Sequence, residues 1–492
     1  MEQGSKKPAV GHSPLETAKK YAGLASDSRE VKKGFLFAAI PGSKADGAAF
    51  VADAVSRGAA AVLGRPEIGP AVAKLGVPFI ANENPRAELA RYAAAFYGAQ
   101  PAVVAAVTGT NGKTSITVFL REIWTALGKR AASMGTIGVV TPTGTIKLNH
   151  TTPGPIELHR LLAQLKQDGI EHLALEASSH GLDQSRMAGM DIAAVAFTNI
   201  TRDHGDYHPT FEAYLACKLR LFRELARENA VAVVNADAAH AEEFAAAAKL
   251  RRLRLLTVGE KGDGLKLVSR SVGNDGQTLQ IAYDGRTHTV ALPLVGAFQA
   301  SNALVAAGLA ISLGEEVKGV FAALENLKGA PGRLEKAAYA KSGAPVFVDY
   351  AHTDDALANV LTALRPHTRG KLAVVFGCGG DRDKAKRPLM GAVAKKLADR
   401  LIVTDDNPRS EVPAAIRAEI LKGCPSAVEI GDRAAAIRAG IEALAEGDIL
   451  VIAGKGHETG QIVGDKVFPF SDRDEAVKAA VELGGRPAEH KP

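Results

Sequence analysis

Residues Val107–Ser115 read VTGTNGKTS, and their types point to phosphate chemistry. A glycine-bearing turn that ends in Gly-Lys-Thr presents backbone N–H groups to an anion. The lysine adds a point charge on the β- and γ-phosphates, and the threonine adds a hydroxyl for Mg²⁺. The usual phosphate loop carries a glycine five residues before the glycine of Gly-Lys, and here Val107 stands in its place. The loop is therefore a shorter variant, with Gly109, Thr110, Asn111, Gly112, Lys113, Thr114 and Ser115 as the nucleotide-facing residues. Two further groups suit a metal-bound triphosphate: the carboxylate of Glu176, ending LALE, and the imidazole of His204 in TNITRDHGDYH. Singly, either would more often be a surface or capping residue; strand ends beside a phosphate loop make a site of them.

The elements that position these residues are legible in the hydrophobic pattern. AVVAAV before the loop is a buried strand, and Ile116, Phe119, Leu120, Ile123, Trp124 and Leu127 after it fall at helical spacing up to Gly128. Upstream, FLFAAI, AAVLG and PFIAN read as strands, and Gly98 with Pro101 marks a new start. HLALEASS, DIAAVAFTNI and VAVVNAD continue the alternation of strand and helix. From residue 265, LKLVSRSVGNDGQTLQIAYDGRTHTVALPL has turn signals at Asp275-Gly276 and Asp284-Gly285, an antiparallel insertion. PVFVDYAH, KLAVVFGCGG, RLIVTDDNPR and DILVIAGKGHE then form a third series, each strand running into a polar or glycine-rich loop where open parallel sheets bind ligands. The predicted fold class is α/β in three domains. Residues 1–97 form an N-terminal α/β domain, 98–334 a P-loop ATPase-like, mostly parallel sheet with the antiparallel insertion, and 335–492 a Rossmann-like domain.

Composition narrows the function classes. With 492 residues the chain exceeds one core, and 46% hydrophobic with 23% charged residues is ordinary for a soluble protein. A net charge of +6, from 60 basic and 54 acidic residues without long basic runs, gives no reason to expect a nucleic-acid partner. Three dispersed cysteines predict a reducing compartment, with Cys217 and Cys378 as packing residues. The N-terminus lacks a signal-peptide core and no apolar run is long enough to span a bilayer, so a cytoplasmic protein without membrane insertion is expected.

Taken in order, DSREVKKGFLF, GTNGKTS, TTPGP, EASSHGLDQSR, TNITRDHGDYH, YLACKLRLF, GAFQASNALVAAG, PGRLE, DYAHTDDAL, GCGGDRDKAKRPLMG, DNPRSE and AGKGHE resemble the Mur ligase family, which builds the peptide stem of peptidoglycan. GTNGK alone is shared with folylpolyglutamate synthases; the ordered set is far more specific. The resemblance implies that ATP phosphorylates a substrate carboxylate and an incoming amine attacks the acyl phosphate. It implies Lys113, Glu176, His204 and Lys218 as the catalytic group, with Thr114, Glu176, His204 and Lys218 around Mg²⁺. A lysine beside Mg²⁺ would repel it, and the family carbamylates the matching lysine with CO₂, so Lys218 is expected to be N6-carboxylysine. From residue type alone it would be a solvated helix lysine.

The same resemblance assigns Ser28, Thr151, Thr152, Ser178, Gln184 and Arg186 to UDP-N-acetylmuramoyl-L-alanyl-D-glutamate. Asn302, Arg333, Asp349 and His352 fall to ATP, with Asp349 on the ribose and Arg333 near the γ-phosphate. DNPR, Asp406–Arg409, follows RLIVT; Pro408 restricts the backbone so that Asn407 and Arg409 project predictably. Diaminopimelate differs from lysine by a second carboxylate, which a guanidinium grips bidentately, and the family's enzymes for meso-2,6-diaminopimelate carry DNPR here. Arg382, Gly454 and Glu458 complete that expected site, Glu458 on the substrate ammonium. A monomer is expected.

Overall fold

The computed structural model describes residues 17–42, 46–201, 207–273 and 276–488. His204 and Asp275 lie outside the described residues. The chain divides into two compact units, one of Met1–Lys113, Gly128–Val234 and Ala238–Leu255, the other of Thr114–Leu127, Asn235–Asp237 and Leu256–Pro492.

In the first unit, β1 (Gly23–Ala25), β2 (Phe35–Ala38), β3 (Ala61–Gly64) and β4 (Phe79–Ala81) make a parallel four-stranded sheet in sequence order. The helix Pro85–Tyr97 covers one face with Leu89, Tyr92 and Ala93. Asn84 Oδ1 caps its start by accepting from Ala87 N–H at 3.1 Å, and Gly98 ends it at φ +67°, a left-handed conformation that glycine adopts freely.

The same unit holds β5 (Val103–Thr108), β6 (Ala131–Gly135), β7 (Gly138–Thr141), β8 (Gly144–Ile146), β9 (His172–Glu176), β10 (Ile192–Phe197) and β11 (Ala226–Asn235), in the order β11-β10-β5-β9-β6-β7-β8. The strands from β11 to β6 pair in parallel; β7 and β8 add an antiparallel hairpin edge. Both faces are covered, so Val104 to Val107 are 0% exposed and the strand reads as an unbroken apolar run. Val104 and Ala106 pack with Leu158, Leu161, Leu162 and Leu165 of the helix Pro155–Gln167. The edge hairpin went unread in the sequence because its strands are only 4 and 3 residues long.

In the second unit, β13 (Leu265–Val272), β14 (Gln277–Tyr283) and β15 (Arg286–Leu292) follow β12 (Arg254–Gly259) and form the antiparallel insertion. Asp284 and Gly285, at φ +49° and +72°, make the two-residue turn between β14 and β15. A seven-stranded sheet follows, built from β16 (Glu335–Tyr339), β17 (Pro345–Asp349), β18 (Leu372–Phe376), β19 (Arg400–Val403), β20 (Val428–Glu429), β21 (Ile449–Ala453) and β24 (Arg486–Pro487), ordered β20-β19-β18-β21-β17-β16-β24. The five strands β20 to β17 are parallel and β16 and β24 antiparallel. A separate hairpin, β22 (Gly460–Val463) and β23 (Lys466–Pro469), projects after β21. The fold is α/β with mostly parallel sheets, and each candidate loop leaves a strand at its carboxyl end. No helix among the described residues is long and apolar enough to cross a membrane.

Candidate active site

The phosphate loop leaves the buried β5 between two parallel neighbours. Val107 is in register with Glu176 of β9 and Ala196 of β10. The turn is tight: a Cβ on Gly109, at φ +150°, would stand 2.1 Å from Thr198 Oγ1. Asn199 holds the next two residues, its carbonyl accepting from Thr110 N–H at 2.8 Å and its Oδ1 from Asn111 N–H at 3.0 Å. Those two amides are committed within the protein, so donors for an anion are those from Gly112 into the helix Lys113–Ala126. Thr110 Oγ1 lies 3.0 Å from Tyr214 Oη. Thr114 and Ser115 are buried in the first turn. The sequence reading missed Asn199 and Tyr214, although both stand inside quoted motifs.

Two ammonium groups converge on one loop carbonyl. Gly109 O accepts from Lys113 Nζ at 3.0 Å and from Lys218 Nζ at 2.7 Å. Lys113 also donates to Thr110 O at 2.8 Å. Lys218, 1% exposed on the helix Phe211–Arg220, lies 4.4 Å over the Tyr214 ring, so it is no solvated helix lysine. Thr210 caps that helix through Ala213 N–H at 3.1 Å. Glu176 is 1% exposed; Thr136 donates to its Oε1 from the backbone at 2.8 Å and to Oε2 from the hydroxyl at 3.2 Å. A Cβ on Gly135 would stand 2.1 Å from Glu176 Oε1, so β6 must end on glycine for the carboxylate to fit. Among the described residues no three His, Cys, Asp or Glu side chains gather as a ready metal site.

Four residues expected at the UDP-sugar peptide form one network beside Glu176. Thr152 Oγ1 donates to Glu176 O at 2.9 Å and lies 3.0 Å from Ser178 Oγ. Ser178 caps the helix Ser179–Asp183 through Gly181 N–H at 3.1 Å. Arg186 Nη1 donates to Thr152 O at 2.5 Å, and its Nη2 to Gln184 Oε1 at 2.8 Å. Thr151 Oγ1 reaches Thr136 Oγ1 at 3.3 Å. Ser28 is elsewhere, buried in the turn after β1, where its hydroxyl and Arg57 help hold the Asp53 carboxyl below its usual range.

In the second unit, Asn302 donates to Gln299 Oε1 at 3.1 Å, and Gln299 to Arg333 O at 3.0 Å. The Arg333 guanidinium lies 4.8 Å over the Tyr350 ring, and its buried Nε finds no hydrogen-bond partner among the described residues. Asp349, expected on a ribose, accepts one backbone bond on each oxygen: Oδ2 from Leu334 N–H at 2.7 Å and Oδ1 from Ala351 N–H at 2.8 Å. Burial pushes its carboxyl up to about 6 against the pull of Arg333 and both amides. The Leu334 that it binds stands at φ +48°. His352 Nδ1 lies 2.9 Å from Tyr350 O.

The DNPR loop is clamped by the β22–β23 hairpin. Arg409 N–H donates to Ile462 O at 3.1 Å, and Arg409 O accepts from Gly464 N–H at 2.8 Å. Arg409 takes φ +51°, and its Nη1 donates to Gly380 O at 2.8 Å. Arg382, in the same loop region, is exposed. Asn407 does not project freely; it is 4% exposed and donates to Glu458 Oε2 at 2.9 Å. Gly454 sits at φ +120°, where a Cβ would stand 2.5 Å from Asp406 Oδ2.

Beneath this loop, Arg433 and Asp472 form a salt bridge with both side chains 0% exposed, at 2.6 Å and 2.7 Å, and Arg433 also donates to Asp405 O and Ala453 O. It ties the ends of β19 and β21 together. Arg433→Met is expected to lower unfolding stability by about 3–5 kcal/mol, because Asp472 is left charged and buried. Denaturant titration checks this, and adding Asp472→Leu should recover much of the loss. The Cys217 and Cys378 thiols are pushed by burial up to about 11 and about 12, which leaves them packing residues.

Three family models match the chain: "Mur ligase family, catalytic domain" over residues 20–97, "Mur ligase middle domain" over 107–310, and "Mur ligase, glutamate ligase domain" over 332–456. The chain belongs to the Mur ligase family. It is 55% identical to the UDP-N-acetylmuramoyl-L-alanyl-D-glutamate–2,6-diaminopimelate ligase of Bradyrhizobium diazoefficiens, covering 95% of this chain and 96% of that one. The Caulobacter vibrioides protein of the same name is 54% identical over 95% and 96% of the two chains. Among solved structures, a ligase of that name matches with a TM-score of 0.72 at 34% identity, covering 94% of this chain and 95% of that one. A MurF from Acinetobacter baumannii shares the fold, with a TM-score of 0.58 at 18% identity over 96% and 97% of the chains.

Proposed function

We propose that the chain is an ATP-dependent amide ligase that joins meso-2,6-diaminopimelate to UDP-N-acetylmuramoyl-L-alanyl-D-glutamate. The observation that carries this is its likeness, end to end at about half identity, to ligases named for that reaction. ATP transfers its γ-phosphoryl to the acceptor carboxylate and leaves as ADP. The amine then attacks the acyl carbon, expels phosphate and forms the amide.

The residues support each task. The helix N-terminus from Gly112 and the Lys113 ammonium stabilise charge spread over the transferring phosphoryl. Thr151, Thr152, Ser178, Gln184 and Arg186 hold the UDP-sugar peptide beside Glu176, with Ser28 at the N-terminal sheet. Asn302, Arg333, Asp349 and His352 serve ATP, and the unpartnered Arg333 Nε is a donor suited to a phosphate oxygen. Arg409, Arg382, Asp406, Asn407, Gly454 and Glu458 take the amino acid. With divisions at residues 98 and 335, Ser28 falls in the first domain, the phosphate loop and Thr151 to Arg333 in the second, and Asp349 and His352 with the amino-acid residues in the third.

Mg²⁺ fits the donor set. Two ammonium groups on Gly109 O repel each other, and CO₂ addition to Lys218, with loss of two protons from its ammonium, turns one of them into an oxygen ligand. That carbamate, Glu176, the Thr114 hydroxyl and His204 are the groups that would hold the ion. Bound there, it supplies positive charge to the phosphates. A monomer acting in the cytoplasm completes the reading.

Phosphate release, with the amino acid varied among meso-diaminopimelate, lysine and none, tests the proposal. Release is expected only when the UDP-muramoyl dipeptide and diaminopimelate are both present. Slow release indifferent to both substrates would make the protein a nucleotide-hydrolysing switch, and equal turnover of lysine would remove the specificity.

A further inference from the structure

Lys455 is a lysine with no solvent. Its side chain is 0% exposed, in the turn between β21 and the β22–β23 hairpin. Lysine is among the residues least often fully buried, because its charge must be repaid by partners. Here Nζ donates to Asn407 Oδ1 at 2.9 Å and pairs with Glu458 Oε2 at 3.3 Å. Asn407 Oδ1 also accepts from Ile462 N–H at 2.9 Å.

These bonds orient the amide. With two donors on Oδ1, Asn407 must turn Nδ2 toward Glu458, and it does so at 2.9 Å. Glu458 Oε2 then receives both Asn407 and Lys455. The carboxylate, 35% exposed, keeps its other oxygen for a ligand. One buried cation thus sets the rotamers of two side chains from loops 48 and 3 residues away in sequence.

We propose that Lys455 is a positioning residue for the incoming amino acid. It locks Asn407 and Glu458 into one arrangement so that the outer Glu458 oxygen meets the substrate's ammonium, and it makes no substrate contact itself. The inference rests on the reading of this loop cluster as the diaminopimelate site.

The test compares Lys455→Met, Lys455→Gln and Glu458→Gln, alone and combined, in the full-length enzyme. Lys455→Met should raise KM for diaminopimelate roughly ten- to hundredfold, the scale of a lost charge-assisted hydrogen bond. KM values for ATP and for the UDP-muramoyl dipeptide should stay within about twofold. Lys455→Gln, which keeps a donor for Asn407, should recover part of the loss. In a Glu458→Gln background Lys455→Met should add little, since the two act as a unit. An unchanged KM for diaminopimelate overturns the proposal. So does a parallel rise in all three KM values with a lowered melting temperature, which marks a merely structural lysine. If the unmodified enzyme turns over another amino acid, the substrate reading fails and the same comparison is run on that amino acid; inactivity with every amino acid sinks both.

Discussion

Lys218→Ala is expected to lower ligase turnover by roughly a thousandfold, the scale seen when a group stabilising transferring charge is removed. Short carboxylic acids such as formate or acetate, supplied at high concentration, should restore part of it by placing an oxygen anion in the vacated space. The expectation follows from the buried Nζ, 2.7 Å from the phosphate-loop carbonyl that Lys113 also uses. If the amine itself did the work, small alkylamines would rescue and carboxylates would not, and that result would discard the carbamate. Truncating a buried lysine also leaves a cavity, so melting temperature must be followed in parallel. A variant that melts like the unmodified protein, yet turns over only with added carboxylate, isolates the chemical role.

The second large effect is expected at Arg409. Arg409→Ala should cut kcat/KM for diaminopimelate by about a hundredfold or more if, as proposed, its guanidinium binds the substrate's second carboxylate. ATP binding should be unaffected. Arg409→Lys should recover little, because a point charge does not reproduce a planar fork. The backbone supplies a further control. Arg409 stands at φ +51°, held by Ile462 O and Gly464 N–H through main-chain bonds that any residue can make. Arg409→Gly removes the guanidinium while relaxing that conformation, so it should match Arg409→Ala in selectivity and exceed it in stability. Gains in lysine turnover by either variant would measure how far Arg409 discriminates. Diaminopimelate kinetics indistinguishable from the unmodified enzyme would remove Arg409 from the site.

Much of the candidate site could be read from the sequence because its signals are local. The phosphate loop is a strand, a glycine turn and a helix start within some twenty residues, and each has its own pattern. Glu176 was legible as the last residue of an apolar strand, and DNPR as the polar exit of another. Lys455 was not. It stands inside the quoted AGKGHE, yet a lysine between glycines reads as exposed, and its burial depends on Asn407, 48 residues away. Arg433 and Asp472, 39 residues apart, were invisible for the same reason. Asn199 follows the strand β10 as a plain polar residue, and its service to Thr110 and Asn111 exists only because β10 lies next to β5.

The sequence by itself determined a phosphate loop, since residue types at fixed local spacing state which groups can bind phosphate, and its ordered motifs implied the reaction class and substrates through their resemblance to the Mur ligase family. It also determined the alternation of strands and helices, which follows from period and from glycine and proline punctuation. Only the tertiary structure decided how those groups are used. It committed the Thr110 and Asn111 amides to Asn199, both Asp349 oxygens to backbone donors, and one Glu458 oxygen to Lys455 and Asn407. The physical reason is that hydrogen-bond capacity is finite and buried polar groups must be satisfied. Which partner satisfies them depends on strand order and loop packing, and the chemistry of a single residue carries neither.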